Sequence, residues 1–146
     1  MLALTLIQPM GWAIVHKHKP YENRSRDIRP LAIRGKRTRI AIHNGKKYDD
    51  HYGQMVHHYT GFAPADVPMA IIGLATLTGE IYIDGVGMKV SKPPPRDHRD
   101  RWFVGPIAFE IDVSESVALR RPVPCRGMLG FWTVPREIEA QIEAQL

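Results

Sequence analysis

Lys19-Pro20-Tyr21-Glu22-Asn23-Arg24-Ser25-Arg26 sets one ammonium, one carboxylate and two guanidinium groups side by side, at the entrance to the most basic part of the chain. Pro20 ends any helix that precedes it, because proline lacks an amide hydrogen and crowds the turn before it. From Tyr21 the chain therefore reads as extended, and a period of two puts Glu22, Arg24 and Arg26 on one face. Such a group can hold a phosphate, read the edge of a base or polarise a bond. It can equally close on itself as a private ion pair.

The charge around this stretch is lopsided. Residues 1–73 carry 11 Lys/Arg against 5 Asp/Glu, whereas residues 74–146 carry 9 against 10. Arg24, Arg26, Arg29, Arg34, Lys36, Arg37 and Arg39 fall within 16 residues that hold a single acid, Asp27. A cationic run of this density attracts polyanions and suits phosphate contacts, so nucleic acid is the expected partner ahead of a merely solvated loop. With 146 residues, 44% of them hydrophobic and 24% charged, the chain reads as one globular domain. Cys125 stands alone, which excludes an internal disulfide framework and a multi-cysteine zinc site, and fits a reducing, cytoplasmic location. The apolar opening over residues 1–15 lacks a basic leader and is interrupted at Gln8-Pro9, so it reads as core rather than signal peptide or membrane span.

Residues 2–6 read as a short buried strand, residues 9–18 as a helix ended by Pro20, and residues 28–36 as a basic loop. Residues 38–43 alternate as a strand. Residues 46–59 read as a helix weakened by Gly53. Residues 69–77 read as a central strand, with residues 80–84 a more exposed part of the same ribbon. Residues 85–101, with Pro93-Pro94-Pro95, read as a stiff loop. Strands follow over residues 102–113, 117–121 and 128–134, then a C-terminal amphipathic helix over 135–146 with Ile138 and Ile142 one turn apart. The class is α+β: five to six short strands flanked by helices, as a small mixed barrel.

The order of several segments resembles the ASCH family of the PUA-like superfamily. Gln8-Pro9, then Lys19, then Glu22-Asn23-Arg24-Ser25 are similar to its opening signature. Ile40-Ala41-Ile42-His43 resembles its strand ending in histidine, and Ala70-Ile71-Ile72-Gly73-Leu74-Ala75 its central strand. Trp102-Phe103-Val104-Gly105-Pro106 and the segment from Pro122 to Trp132 resemble its two closing segments. The resemblance runs from Leu4 to Val134 and implies a PUA-like β-barrel over residues 1–146, with a cleft lined by the lysine, glutamate and arginine. It also implies binding of RNA or modified nucleotides, or, in some relatives, hydrolysis of acylated cytidine or RNA cleavage. Three positions depart from the pattern: Met10 for tryptophan, Lys17 for glycine, and Glu22 where the hydrolysing relatives place a threonine.

The leading expectation is a binder of single-stranded nucleic acid, RNA or a modified nucleotide within it. Lys19, Glu22, Arg24, Arg26, Arg39, His43 and Trp102 are the candidate contacts. Trp102, beside the basic residues 96–101, is preferred over Trp12 and Trp132 as a stacking platform. The enzymatic alternative makes Lys19 a general base with Glu22 as its partner. A further alternative is a protein adaptor working through the C-terminal helix. No cofactor is expected, and none of His16, His18, His57 and His58 falls in a metal-binding spacing.

Overall fold

The computed structural model describes residues 1–84 and 100–146. Its order is β1 (Leu2–Gln8), α1 (Met10–Val15), β2 (Tyr21–Arg24), β3 (Thr38–Tyr48), α2 (Asp50–Thr60), β4 (Ala70–Ile83), β5 (Ile107–Pro124), β6 (Phe131–Thr133) and α3 (Arg136–Glu143). Six strands form one sheet in the order β2-β5-β4-β3-β1-β6. The β1–β3 pair is parallel and every other pair is antiparallel.

The expected closed barrel is corrected here: the sheet is open. Among the described residues β2 and β6 are edges, each with one strand neighbour. These edges are short, four residues in β2 and three in β6, and no backbone ladder joins β2 to β1 or β6. A side chain makes the crossing instead: Arg24 Nη2 donates to the Thr5 carbonyl of β1 at 3.2 Å.

Alternation along the strands divides the core into layers. Leu4, Leu6, Ile40 and Ile42 face α1 with Ile14 and Val15, while Ala3, Ala41, Ile71 and Leu74 face α3 with Val123 and Ile142. That is the period of two acting on both faces of a sheet that carries helices on each. Ile142 is fully buried and Ile138 packs beside it, so the apolar stripe of α3 is covered by its own sheet. Gln145 clamps the helix end by exchanging two 2.9 Å hydrogen bonds with the Arg121 backbone.

Several boundaries differ from the sequence reading. Residues 46–48 belong to β3, because Asp49 caps α2 by accepting from the Tyr52 amide at 2.9 Å and so starts the helix at Asp50. The strands read separately over 102–113 and 117–121 are one strand beginning at Ile107, with an irregular register where Gly73 pairs with Ala118 but Ile71 with Val123. Pro122 and Pro124 are tolerated in it because β2 pairs with β5 only from Ile107 to Glu110, so that neither proline has a partner in β2. The proline run at 93–95 lies outside the described residues. No helix among the described residues is long and apolar enough to cross a membrane.

Gly73 is the tightest point of the central strand. A Cβ there would meet Val15 Cγ1 at 2.5 Å and crowd the Val117 carbonyl as well. Gly73→Ala is expected to cost about 1–3 kcal/mol, the usual range for overpacking. Urea unfolding of the two proteins checks this.

Candidate functional site

Where the sheet fails to close, it leaves a cleft of about 1080 Å³. One wall is β2 with Ser25 and Arg26, and the opposite wall is the β1 segment Thr5, Leu6 and Ile7 with Phe131 of β6. Met10, Tyr52 and Met55 from the two helices close one end, and Val104 and Leu129 stand as exposed apolar lips. This volume is at the upper end of the range for small-molecule sites.

The inner group is a carboxylate between two cations. Lys19, 2% exposed, donates from Nζ to Glu22 Oε2 at 3.0 Å and to the Tyr21 carbonyl. On the other side Arg24 Nε lies 3.1 Å from Glu22 Oε1, within ion-pair range but off the line of a hydrogen bond. Arg24 then reaches Thr5, so the trio spans the cleft from edge to edge. The positions arise locally: Lys19 follows the turn after α1, and Glu22 and Arg24 share a face of β2 by strand alternation. Asn23, between them, points the other way. It donates to the Trp102 carbonyl at 2.9 Å and accepts from the amides of Val104 and Gly105, which fixes that lip of the cleft.

Beneath Thr5 lies a second buried network. His43 Nε2 is 3.0 Å from the Cys125 carbonyl, which can only accept, so the ring proton sits on Nε2. Nδ1 then accepts from the Thr5 hydroxyl at 3.2 Å, while that hydroxyl accepts from Trp132 Nε1 at 2.9 Å. Burial lowers the His43 pKa, which keeps this neutral arrangement.

Four of the seven candidates line the cleft: Lys19, Glu22, Arg24 and Arg26. The other three do not. His43 is fully buried in the network just described. Trp102 is 2% exposed and packs edge-on against Tyr59 at 5.0 Å, so it offers no open face of the kind expected. Arg39 is exposed but lies outside the cleft lining, near the opposite end of β3 from the residues that reach it.

Much of the basic run is neutralised at home. Arg29 forms a two-armed pair with Asp27 at 3.0 and 2.9 Å, and Arg34 lies 3.7 Å from the same carboxylate. Arg37 is paired with Asp112 and Glu115, acids supplied by β5. Lys46 and Lys47 are the cleft cations that the sequence reading missed, because it placed them in a helix. The signal that would have found them is Asp49, an N-cap that leaves both lysines in the preceding strand. Trp12 stacks on His16 and His18, with ring centroids 4.5 and 5.5 Å away. Among the described residues no group of three or more His, Cys, Asp or Glu side chains could hold a metal ion. Burial raises the pKa of the Cys125 thiol, which works against reactivity.

Two outcomes follow for stability. Glu22→Ala strands a buried ammonium and should cost about 3–5 kcal/mol, measured by urea unfolding. The His43 pKa is lowered on folding, so its contribution is complete above the unfolded value of 6.5 and is lost as pH falls from there towards the folded value. Unfolding free energy should therefore fall between pH 7.5 and 5.5. His18 shifts in the same direction, through burial first and then His16 and Arg101, so the share of His43 is read as the flattening produced by His43→Gln.

No family model matches this chain, and no curated protein matches its sequence. Solved structures do match its shape. A crystal structure of ASCH from Zymomonas mobilis superposes with a TM-score of 0.53 at 17% identity, covering 98% of this chain and 93% of that one. A serine-to-alanine variant of that protein gives 0.52 at 19% identity, with 98% and 94% covered. A tyrosine-to-phenylalanine variant gives 0.52 at 18%, with 98% and 96% covered. The open sheet, its flanking helices and the cleft between its edges are thus set in an ASCH-like fold.

Proposed function

We propose that this protein binds single-stranded nucleic acid, RNA in the first instance, in the cleft between β2 and β1. The observation that carries this reading is the composition of the lining. Five Lys and Arg side chains (Lys19, Arg24, Arg26, Lys46 and Lys47) surround the cleft with one carboxylate, Glu22, while its walls are largely apolar. Single-strand binders combine the same two elements, cations that follow the phosphates and an apolar or aromatic surface on which bases rest. Tyr52 and Phe131 supply the rings here, in place of Trp102. A duplex would not use such walls, since its bases are stacked on one another.

The geometry favours holding a ligand over hydrolysing one. The Lys19 ammonium is already engaged by Tyr21 and Glu22, and Glu22 lies between two cations. The Thr5 hydroxyl is held between Trp132 and His43. In this reading Lys19 and Glu22 orient Arg24, and Arg26, Lys46 and Lys47 meet the phosphates.

The test is the salt dependence of binding to a short single-stranded RNA, followed by fluorescence anisotropy. If the three rim cations each neutralise one phosphate, log affinity should fall against log salt with a slope of about −2, at −0.7 per phosphate. Lys46→Ala with Lys47→Ala should make that slope shallower by about 1.4. Lys36→Ala with Arg39→Ala, which lie outside the cleft lining, should leave it unchanged. Binding that ignores salt overturns the reading.

A further inference from the structure

The rim cations of the cleft are not in one place. Each strand from β2 through β5, β4 and β3 is antiparallel to the next, and β3 is parallel to β1, so β2 runs antiparallel to β1 across the gap. The Arg24 contact with the Thr5 carbonyl fixes the register of that crossing. Going forward along β2 from Arg24 is therefore going backward along β1 from Thr5. Arg26 lies towards Ala3 and Leu4, the end where Phe131 pairs with Leu4. Packing agrees, since a Cβ on Gly130 would lie 3.5 Å from Ile28 Cδ1, just beyond Arg26. In the other direction, β1 pairs Leu6 with Asn44 and Gln8 with Tyr48, which sets Lys46 and Lys47 beside Ile7.

From this we infer that the cleft takes a run of consecutive nucleotides and not a single one, with a phosphate on Arg26 at one end and phosphates on Lys46 and Lys47 at the other. The inference rests on the nucleic-acid reading above and specifies its ligand. Three to four residues of β1 separate the two cation groups, about 10–13 Å at the rise of a strand. The axial rise between phosphates of a stacked strand is about 3.4 Å. A mononucleotide carries one phosphate and reaches one group only, leaving the other facing water. A segment of about four to five nucleotides, with three to four steps between its phosphates, reaches both. Arg24 and Glu22 lie at the waist between the ends, beside the apolar walls, where the bases of the middle nucleotides would rest. Ion pairing separates the two roles: Arg24 is tied to Glu22, whereas among the described residues Arg26 and Lys46 have no acid within 4.0 Å and Lys47 has Asp49 at 3.9 Å, on an exposed lysine side chain.

The experiment is a length series of 5′-phosphorylated oligouridylates, from the mononucleotide to the hexanucleotide, titrated at one fixed salt concentration by calorimetry. Affinity should rise at least tenfold between the dinucleotide and the tetranucleotide and level off from the pentanucleotide on. Arg26→Ala, and separately Lys46→Ala with Lys47→Ala, should each weaken the tetranucleotide about five- to tenfold and flatten the length dependence. Far-ultraviolet circular dichroism checks that each variant is folded, as these are exposed side chains. A mononucleotide that binds as tightly as the tetranucleotide, or a folded rim variant that leaves the length dependence unchanged, overturns this inference and leaves nucleic-acid binding standing. If no oligomer of any length binds, the nucleic-acid reading itself fails and takes this one with it.

Discussion

The contact on which the rest depends is the Glu22 carboxylate held between Lys19 and Arg24. It does two jobs through one residue. Buried at 6% exposure, it compensates an ammonium that could not otherwise remain inside the fold, and it aims Arg24 across the gap to Thr5. That crossing is a polar tie from the β2 edge to β1, where no backbone ladder holds the gap. A buried ion pair is a poor source of net stability, because desolvation offsets most of the Coulomb gain. Its value here is geometric: it sets one separation between two strand edges that the backbone does not join.

Charge in this molecule has to be judged by its partners and not by its density along the chain. The run from Arg24 to Arg39 looks uniformly basic, yet in the fold Arg24, Arg29, Arg34 and Arg37 each meet a carboxylate. Asp27 serves two of them, and Asp112 and Glu115 arrive from a strand some 75 residues away. Arg29 also lies over the ring of Phe109, 5.3 Å from its centroid, as a packed core cation. Of the members of the run that meet no carboxylate among the described residues, Arg26 lines the cleft and Lys36 and Arg39 do not, and the cleft gains Lys46 and Lys47 from outside that run.

The elements with clear periodicity were legible in the sequence. The alternation of Thr38 to His43 marked β3, Pro20 marked the passage into β2, and the spacing of Ile138 and Ile142 marked α3. Local features also placed Lys19, Glu22 and Arg24 together, since they are close in sequence and Pro20 leaves them little choice. What could not be read was set by tertiary pairing. Trp102 looked available beside charged residues, but the Asn23 amide draws its carbonyl inward and Tyr59 covers its ring. His43 does keep the face it shares with Ala41 and Arg39, but that face is covered at His43 by Trp132 and the Cys125 carbonyl, and the imidazole is spent on Thr5 instead of a ligand. The open sheet was equally hidden, because six short strands are compatible with closure until their order is known.

An open sheet carries a hazard, since an unpaired edge invites pairing with another chain. The edge strands β2 and β6 are very short, the part of β5 that β2 leaves uncovered carries Pro122 and Pro124, and β2 is further blunted by a lysine whose ammonium occupies the Tyr21 carbonyl and by an arginine that leans over the gap. Natural sheets use charged residues at edges for this protection. The groups that guard the edge are therefore the groups that line the cleft, and one constraint accounts for both. Closing the sheet with a backbone ladder would remove the hazard, but it would fill the space in which a ligand fits. Leaving it open requires buried charge at the edge, and buried charge requires a compensating carboxylate. On this argument the Lys19-Glu22-Arg24 spacing follows from keeping the sheet open, whatever ligand the cleft takes, and specificity for that ligand falls to the residues free of that duty: Arg26, Lys46, Lys47 and the apolar walls.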